Sequence, residues 1–225
     1  MTIKIKHGIP RPIEAAMAVA GLIVSGPVIA LAAIAVALTS PGPVIFRQKR
    51  VGLKGRHFVL YKIRTMRVAA GGPQVTAGGD SRVTKVGKLL RKTKLDELPE
   101  LWNILKGDMS LIGPRPEVPR YVDLGNPEWL MVLQARPGLT DPMTLRLRNE
   151  EELLAHVKGD RERFYLEMLQ PFKLRGYISY LESRSWLSDL KVLWQTVVAV
   201  ALPHRADLPT MDEIRTLSDD HPPFS

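Results

Sequence analysis

The sequence predicts a predominantly helical α/β fold with a small β-hairpin or sheet and an N-terminal re-entrant membrane helix. Three features predict it: an uncharged apolar run over residues 15–38, two short β-type segments around a glycine-bounded turn, and helical spacing of apolar residues in much of the remainder. The apolar run is 24 residues long, against the roughly 20 helical residues that a hydrocarbon core requires. It exceeds the run of about 7 to 15 residues typical of a cleavable signal peptide, so it is expected to be retained. Lys4, Lys6 and Arg11 precede it and Arg47, Lys49 and Arg50 follow it, so the cytoplasmic preference of basic residues acts on both ends. Pro27, behind Ser25 and Gly26, removes a helical hydrogen bond near the middle and favours a bend. A helix that enters the bilayer, bends at Ser25 and Pro27 and leaves by the same face satisfies both observations. An ordinary kinked spanning helix is the alternative, because proline is tolerated in many such helices. Either arrangement leaves the body on the cytoplasmic face of the membrane.

Pro41, Gly42 and Pro43 end that helix, and residues 44–46 and 58–61 then read as two strands around Gly52 and Gly55. Residues 69–80 hold four glycines and a proline and read as a mobile loop. Residues 81–93 predict a basic helix capped by Asp80 or Ser81. In the next helix Leu98, Leu101, Trp102 and Leu105 form one buried stripe, with Gly107 as its stop. Asp96, Glu97 and Glu100 fall near the start of that helix and off the stripe, and Pro99 is tolerated there because first-turn amides lack helical partners. An apolar run at 109–112 leads into Gly113-Pro114-Arg115-Pro116-Glu117, where two prolines stiffen the backbone around one arginine. Residues 150–169 and 185–202 carry the clearest later helical patterns, and a polar tail begins at Pro203. The expected organisation is a membrane helix over 1–40, a catalytic body over 41–205 and a tail over 206–225.

Composition narrows the chemistry. The 225 residues are 45% apolar, enough for an ordinary core. The absence of cysteine excludes disulfides, thiolate zinc sites and thiol nucleophiles, and makes the reducing cytoplasm the simplest home for the body. The formal charge is +9, and Arg47 to Lys94 contains 14 basic residues against the single acid Asp80. Such a block calls for an anionic partner: nucleic acid, lipid headgroups or phosphorylated small molecules. Carboxylates beside cations near a membrane suit phosphoryl transfer, with Asp96 as nucleophile or metal ligand. A helix N-terminus favours the ionised carboxylate that either role needs. The ordinary alternative is that Asp96 and Glu97 are helix caps and that Lys62, Arg64, Arg91 and Arg115 are surface charges. Spacing alone leaves both open.

The order of motifs is more specific. Pro43-Val-Ile-Phe-Arg-Gln-Lys-Arg-Val-Gly52, Phe58-Val-Leu-Tyr-Lys62-Ile-Arg64-Thr-Met66 and Asp80-Ser-Arg82-Val-Thr-Lys-Val-Gly87 are followed by Leu90-Arg91-Lys-Thr-Lys-Leu-Asp96-Glu97-Leu-Pro99-Glu-Leu-Trp-Asn103 and by Gly107-Asp108-Met109-Ser-Leu-Ile-Gly113-Pro114-Arg115-Pro116-Glu117. Over roughly residues 13–140 this series resembles the monotopic phosphoglycosyl transferases, bacterial sugar transferases that begin glycoconjugate assembly on a lipid carrier. The resemblance implies that Asp96 attacks the sugar-bearing phosphate of a UDP-sugar, expels UMP and holds the sugar phosphate covalently until polyprenyl phosphate accepts it. Glu97 completes the family's Asp-Glu pair. Mg2+ is implied as cofactor, bound by Asp96 and substrate phosphates. Lys62, Arg91 and Arg115 match basic positions that grip phosphates, and Glu117 is a further candidate. The implied partners are UDP-sugar, polyprenyl phosphate and membrane lipids, without nucleic acid.

Two departures stand out. The family bends its membrane helix at a serine followed directly by proline, whereas this chain reads Ser25-Gly26-Pro27. After Arg136-Pro-Gly-Leu-Thr140 many relatives continue with a Gly-x-x-Gln-Val-x-Gly-Arg pattern; here the chain continues Asp141-Pro-Met-Thr-Leu-Arg146-Leu-Arg148. Arg146 or Arg148 is a candidate replacement for the missing arginine, and alternating strand-surface positions are the alternative. A competing function is a non-enzymatic, membrane-anchored basic module that binds acidic lipid or nucleic acid through residues 47–94. Salt-sensitive binding would mark the nucleic-acid version of it.

Overall fold

The computed structural model describes residues 5–67, 80–202, 209–210 and 213–214. The glycine-rich segment expected as a loop and most of the expected tail lie outside these residues.

The apolar run forms one helix, α1 (Arg11–Thr39), entered through Pro10 and containing Pro27. Beside the proline, the Ser25 hydroxyl donates to the Gly21 carbonyl at 2.6 Å, a back-bond that competes with the helical ladder and favours bending. Ile23, Val24, Leu31, Ile34 and Leu38 are exposed along it. Both ends are nevertheless fastened to the same body. At the start, the Arg11 guanidinium donates to the carbonyls of Ile104, Leu105 and Met109, and Glu14 accepts from the Leu111 amide at 3.1 Å. At the finish, Arg64 donates to the carbonyls of Pro41, Ser40 and Gly42 at 2.6, 2.7 and 3.2 Å. Arg64 is therefore a buried clamp and not a surface charge. Replacing it with Gln leaves carbonyls unsatisfied, at a cost of about 2 kcal/mol. Thermal melting of Arg64→Gln in detergent is expected to read this as a Tm roughly 4–8 °C lower.

The expected hairpin is present and longer than its apolar cores: β1 (Ile45–Val51) pairs antiparallel with β2 (His57–Ile63), Ile45 opposite Ile63 and Val51 opposite His57. The following helix, α2 (Lys85–Thr93), starts later than expected and is capped by Thr84, whose hydroxyl accepts from the Gly87 amide at 2.9 Å. Asp80 is engaged instead by Arg82, at 2.6 Å. Gly87 packs directly on the Thr65 carbonyl, where a Cβ would collide, so the helix is seated against the chain leaving β2.

Helix α3 (Glu100–Lys106) buries Leu101, Asn103 and Ile104 and ends at Gly107, whose φ of 90° is the left-handed stop the sequence predicted. Trp102, expected in the core, is 50% exposed. The reason is Asn103: its side-chain oxygen accepts from the Tyr61 amide at 3.1 Å and its amide donates to the Val59 carbonyl at 2.7 Å. This makes the contacts of a neighbouring strand and turns the helix so that position 102 faces out.

The apolar run after α3 is a strand, β3 (Ser110–Ile112), parallel to the unanticipated β4 (Gly138–Thr140). Short helices α4 (Pro127–Val132), α5 (Pro142–Arg146), α6 (Glu150–His156) and α7 (Arg161–Phe164) follow, then a five-residue π-turn (Tyr165–Leu169), α8 (Gln170–Ser183) and α9 (Trp186–Ala201). The helix expected over 150–169 is thus interrupted. Gly159 adopts a φ of 108° and Asp160 caps a new start by accepting from the Glu162 and Arg163 amides. The last expected helix is present, with a reciprocal Ser185–Ser188 capping box. It packs inward through Asp189 and Val192 and exposes Trp186, Leu187, Trp194 and Val197.

Candidate active site

Asp96 and Glu97 lie in a single 3-10 turn, Leu95–Glu97, entered through the left-handed Lys94 (φ 58°) and placed just ahead of α3. They lie close to the start of that helix, where the sequence placed them, and both are buried. Strand β2 brings Lys62 to this turn, and the double-proline segment brings Arg115. Glu97 Oε1 accepts from Lys62 Nζ at 2.8 Å and from Arg115 Nη2 at 2.5 Å. Lys62 Nζ also lies 3.1 Å from Glu100 Oε1. One carboxylate is therefore held between two cations contributed by distant parts of the chain.

The three acids experience different environments. Burial pushes Glu97 up, but the charges of Arg115, Lys62 and Lys94 outweigh it and hold the carboxyl well below the usual range. Asp96 is raised, first by burial and then by the charge of Glu97, with Lys62, Lys94 and Arg91 opposing. The helix-terminus argument for an easily ionised Asp96 is thus outweighed. Glu100 is raised by burial, although Lys62 opposes. The outcome is a firmly ionised Glu97 beside a more basic Asp96, two adjacent acids driven apart by their partners.

Asp96 Oδ1 is buried and accepts no hydrogen bond among the described residues, an unsatisfied state that costs free energy unless a ligand completes it. A hard cation or a donor group arriving with substrate meets that need. Among the described residues no three histidine, aspartate or glutamate side chains converge to hold a metal by themselves. An ion at Asp96 needs phosphate oxygens or water for the rest of its shell, which is the habit of magnesium.

The remaining candidates divide. Arg91 Nε donates to Thr65 Oγ1 at 2.9 Å while its Nη1 pairs with Glu151 Oε1 at 2.6 Å, and its charge reaches Asp96. Glu117 belongs to a neighbouring network: it accepts from Arg50 at 3.2 Å and from the Tyr165 hydroxyl, which in turn accepts from Lys173 at 3.3 Å. Arg50 also donates to the Pro116 carbonyl at 3.0 Å and so braces the turn that presents Arg115. Arg146 and Arg148 occupy α5 and the turn after it, where no strand forms. Arg146 pairs with Glu213 and covers the Phe172 ring, and Arg148 donates to the Ala199 carbonyl. No described contact joins either to Asp96 or Glu97. Sequence reasoning passed over Glu100, Arg50 and Lys173 as site-supporting groups. Glu100 and Arg50 sit inside the recognised motifs, but Lys173 lies in an undistinguished helical stretch and carried no signal.

The profile of the family described as Bacterial sugar transferase matches residues 5–203. The chain belongs to this family. It is 42% identical over 176 residues to the UDP-glucose:undecaprenyl-phosphate glucose-1-phosphate transferase of Caulobacter vibrioides, covering 76% of this chain and 61% of that protein. It is 45% identical over 117 residues to a putative undecaprenyl-phosphate N-acetylgalactosaminyl 1-phosphate transferase of Bacillus subtilis, covering 51% and 65%. It is 35% identical over 186 residues to the UDP-glucose:undecaprenyl-phosphate glucose-1-phosphate transferase of Escherichia coli, covering 78% and 36%. The chain spans less than two thirds of the length of each of these curated relatives. For a bacterial sugar transferase the charge-separated Asp96–Glu97 pair is the natural place to look for chemistry.

Proposed function

We propose that this bacterial sugar transferase moves a sugar 1-phosphate from a UDP-sugar to undecaprenyl phosphate, with Asp96 as nucleophile. The observation that carries the proposal is the buried Asp96 Oδ1, without a hydrogen-bond partner among the described residues, set beside Glu97, with Lys62 and Arg115 on that neighbour and the charge of Arg91 in range. In the first step an Asp96 oxygen bonds to the sugar-bearing phosphorus, the bond to the bridging diphosphate oxygen breaks, and UMP leaves with that electron pair. In the second, a phosphate oxygen of undecaprenyl phosphate bonds to the same phosphorus, the acyl phosphate bond breaks, and Asp96 is restored as a carboxylate.

Lys62 and Arg115 neutralise Glu97 in the free enzyme and meet the donor phosphates when these arrive. Arginine offers paired donors matched to phosphate oxygens. Arg91 is joined to a half-exposed Glu151, a pairing worth little enough that a phosphate displaces it. Asp96 and the donor phosphates would hold Mg2+, which would offset negative charge on the donor.

The same proposal places α1 as a re-entrant helix with the body on the cytoplasmic face. It is supported by the fastening of both helix ends to one body through Arg11 and Arg64, with open apolar side chains between them. A crossing helix delivers its ends to opposite faces about 30 Å apart.

The nucleophile must be ionised, so kcat/KM is expected to rise with pH as Asp96 loses its proton, with an inflection above the usual carboxylate range of about 4. Glu97→Gln removes the like charge that raises Asp96, so the inflection is expected to move to lower pH. A pH profile of UMP release for both proteins checks the sign, and an inflection that stays or climbs contradicts the assignment.

Function is tested by UMP release from a panel of UDP-sugars in the presence of undecaprenyl phosphate and Mg2+. Release with one donor identifies reaction and sugar together. Failure with every donor removes the proposal.

A further inference from the structure

We propose that the outward face of α2 is a docking surface for anionic lipid headgroups of the leaflet that holds α1. Lys85, Lys88, Leu89 and Lys92 are spaced i, i+3, i+4 and i+7, which gathers them on one side of the helix, and all four are exposed. Leu89 is 61% exposed. No ion pair engages Lys85, Lys88 or Lys92 among the described residues. The opposite face carries Val86 and Leu90, which pack with Ile63 and with Ile29, Ala32 and Val36 of α1. Helix α2 therefore lies along the C-terminal half of the apolar helix, whose Leu31, Ile34 and Leu38 are open.

This adjacency selects the occupant. A medium that covers the open side chains of α1 is apolar, and its boundary is lined with phosphates. A lysine face with a leucine at its centre fits that boundary, because lysine stems lie along apolar surface while their ammonium groups reach phosphate. Nucleic acid satisfies the charge but offers nothing to Leu89 or to α1. The surface orients the body against the leaflet, and α2 leads through Lys94 directly into the turn that carries Asp96. Docking there holds the nucleophile at the depth of a lipid-borne phosphate.

The inference rests on α1 residing in the bilayer, and the two are tested separately. Flotation of the whole chain with zwitterionic phosphatidylcholine vesicles reports α1, and a chain that fails to float overturns the premise. The chain has no cysteine, so Leu89→Cys accepts a single environment-sensitive fluorophore at the centre of the α2 face. In nanodiscs the label is expected to emit at shorter wavelength when phosphatidylglycerol is added to phosphatidylcholine. The docked-to-free ratio is expected to fall about fivefold for each of Lys85, Lys88 and Lys92 replaced by Gln. Emission indifferent to phosphatidylglycerol, or unchanged in the triple Gln variant, overturns the proposal while leaving the α1 reading intact.

Discussion

Asp96→Asn is expected to lower turnover by at least about 10^3-fold while making the protein more stable. The first effect follows from its proposed role, because an amide cannot form the acyl phosphate and loss of a nucleophile removes the covalent path. The second follows from its surroundings. The folded pKa of Asp96 is raised by burial and by Glu97, so at pH values above it the ionised side chain opposes folding, and this penalty fades as pH falls through that pKa. The amide removes the penalty at neutral pH and keeps the shape. The variant is therefore expected to melt at a higher temperature than the parent at neutral pH, and the difference is expected to shrink as pH falls through the Asp96 pKa. Thermal melting alongside the activity assay checks both, and an inactive variant that also melts early points to a structural role for Asp96 instead.

Gly138→Ala is expected to cost stability and activity together. Gly138 N donates to the Pro114 carbonyl at 2.9 Å, and a Cβ at 138 would collide with the backbone of Gly113. Backbone cannot swing aside as a side chain does, so the two strands must separate. Overpacking of this kind costs about 2–4 kcal/mol, roughly 10 °C in Tm. The displaced segment continues into Pro114, Arg115 and Pro116, so the cation on Glu97 moves with it. An alanine variant with normal melting and normal kcat contradicts this coupling.

The parts of the fold legible in the sequence were those with long, regular signals. The uncharged run over 15–38 and the period-2 segments flanking Gly52–Gly55 dictate elements whatever surrounds them. The helical pattern over 185–202 likewise matches the helix that forms at Trp186–Ala201. The misplacements came from tertiary contacts. Trp102 belongs to an apolar spacing that fits a buried stripe, yet Asn103 bonds to the edge of β2 and rotates it outward. A polar residue that specifies rotation leaves no mark in a hydrophobic pattern. Strand β4 is three residues long and exists because two glycines let backbones meet, so it carries no alternation to detect. Asp80 resembled a cap until Arg82 took its carboxylate.

The candidate site shows the same division. Asp96, Glu97, Lys62 and Arg115 were singled out from motif order, and the structure brings Lys62 and Arg115 onto Glu97 from 35 and 18 residues away. Their opposed electrostatic fates were not legible. Local position argued for an easily ionised Asp96, whereas burial and the neighbouring glutamate decide otherwise. Arg146 and Arg148 looked equivalent to a phosphate-binding arginine in the linear chain, and only folding commits them to Glu213 and to the end of α9.

The most direct test of the account is mass spectrometry of the protein after incubation with a UDP-sugar that it turns over and Mg2+, with undecaprenyl phosphate withheld. A covalent path through Asp96 predicts UMP released in near-stoichiometric amount and a sugar phosphate attached to the peptide bearing Asp96, discharged when undecaprenyl phosphate is added and absent from Asp96→Asn. UMP formed only when both substrates are present, with no adduct on Asp96 at any time, would contradict it and would mean that the sugar phosphate passes directly between them.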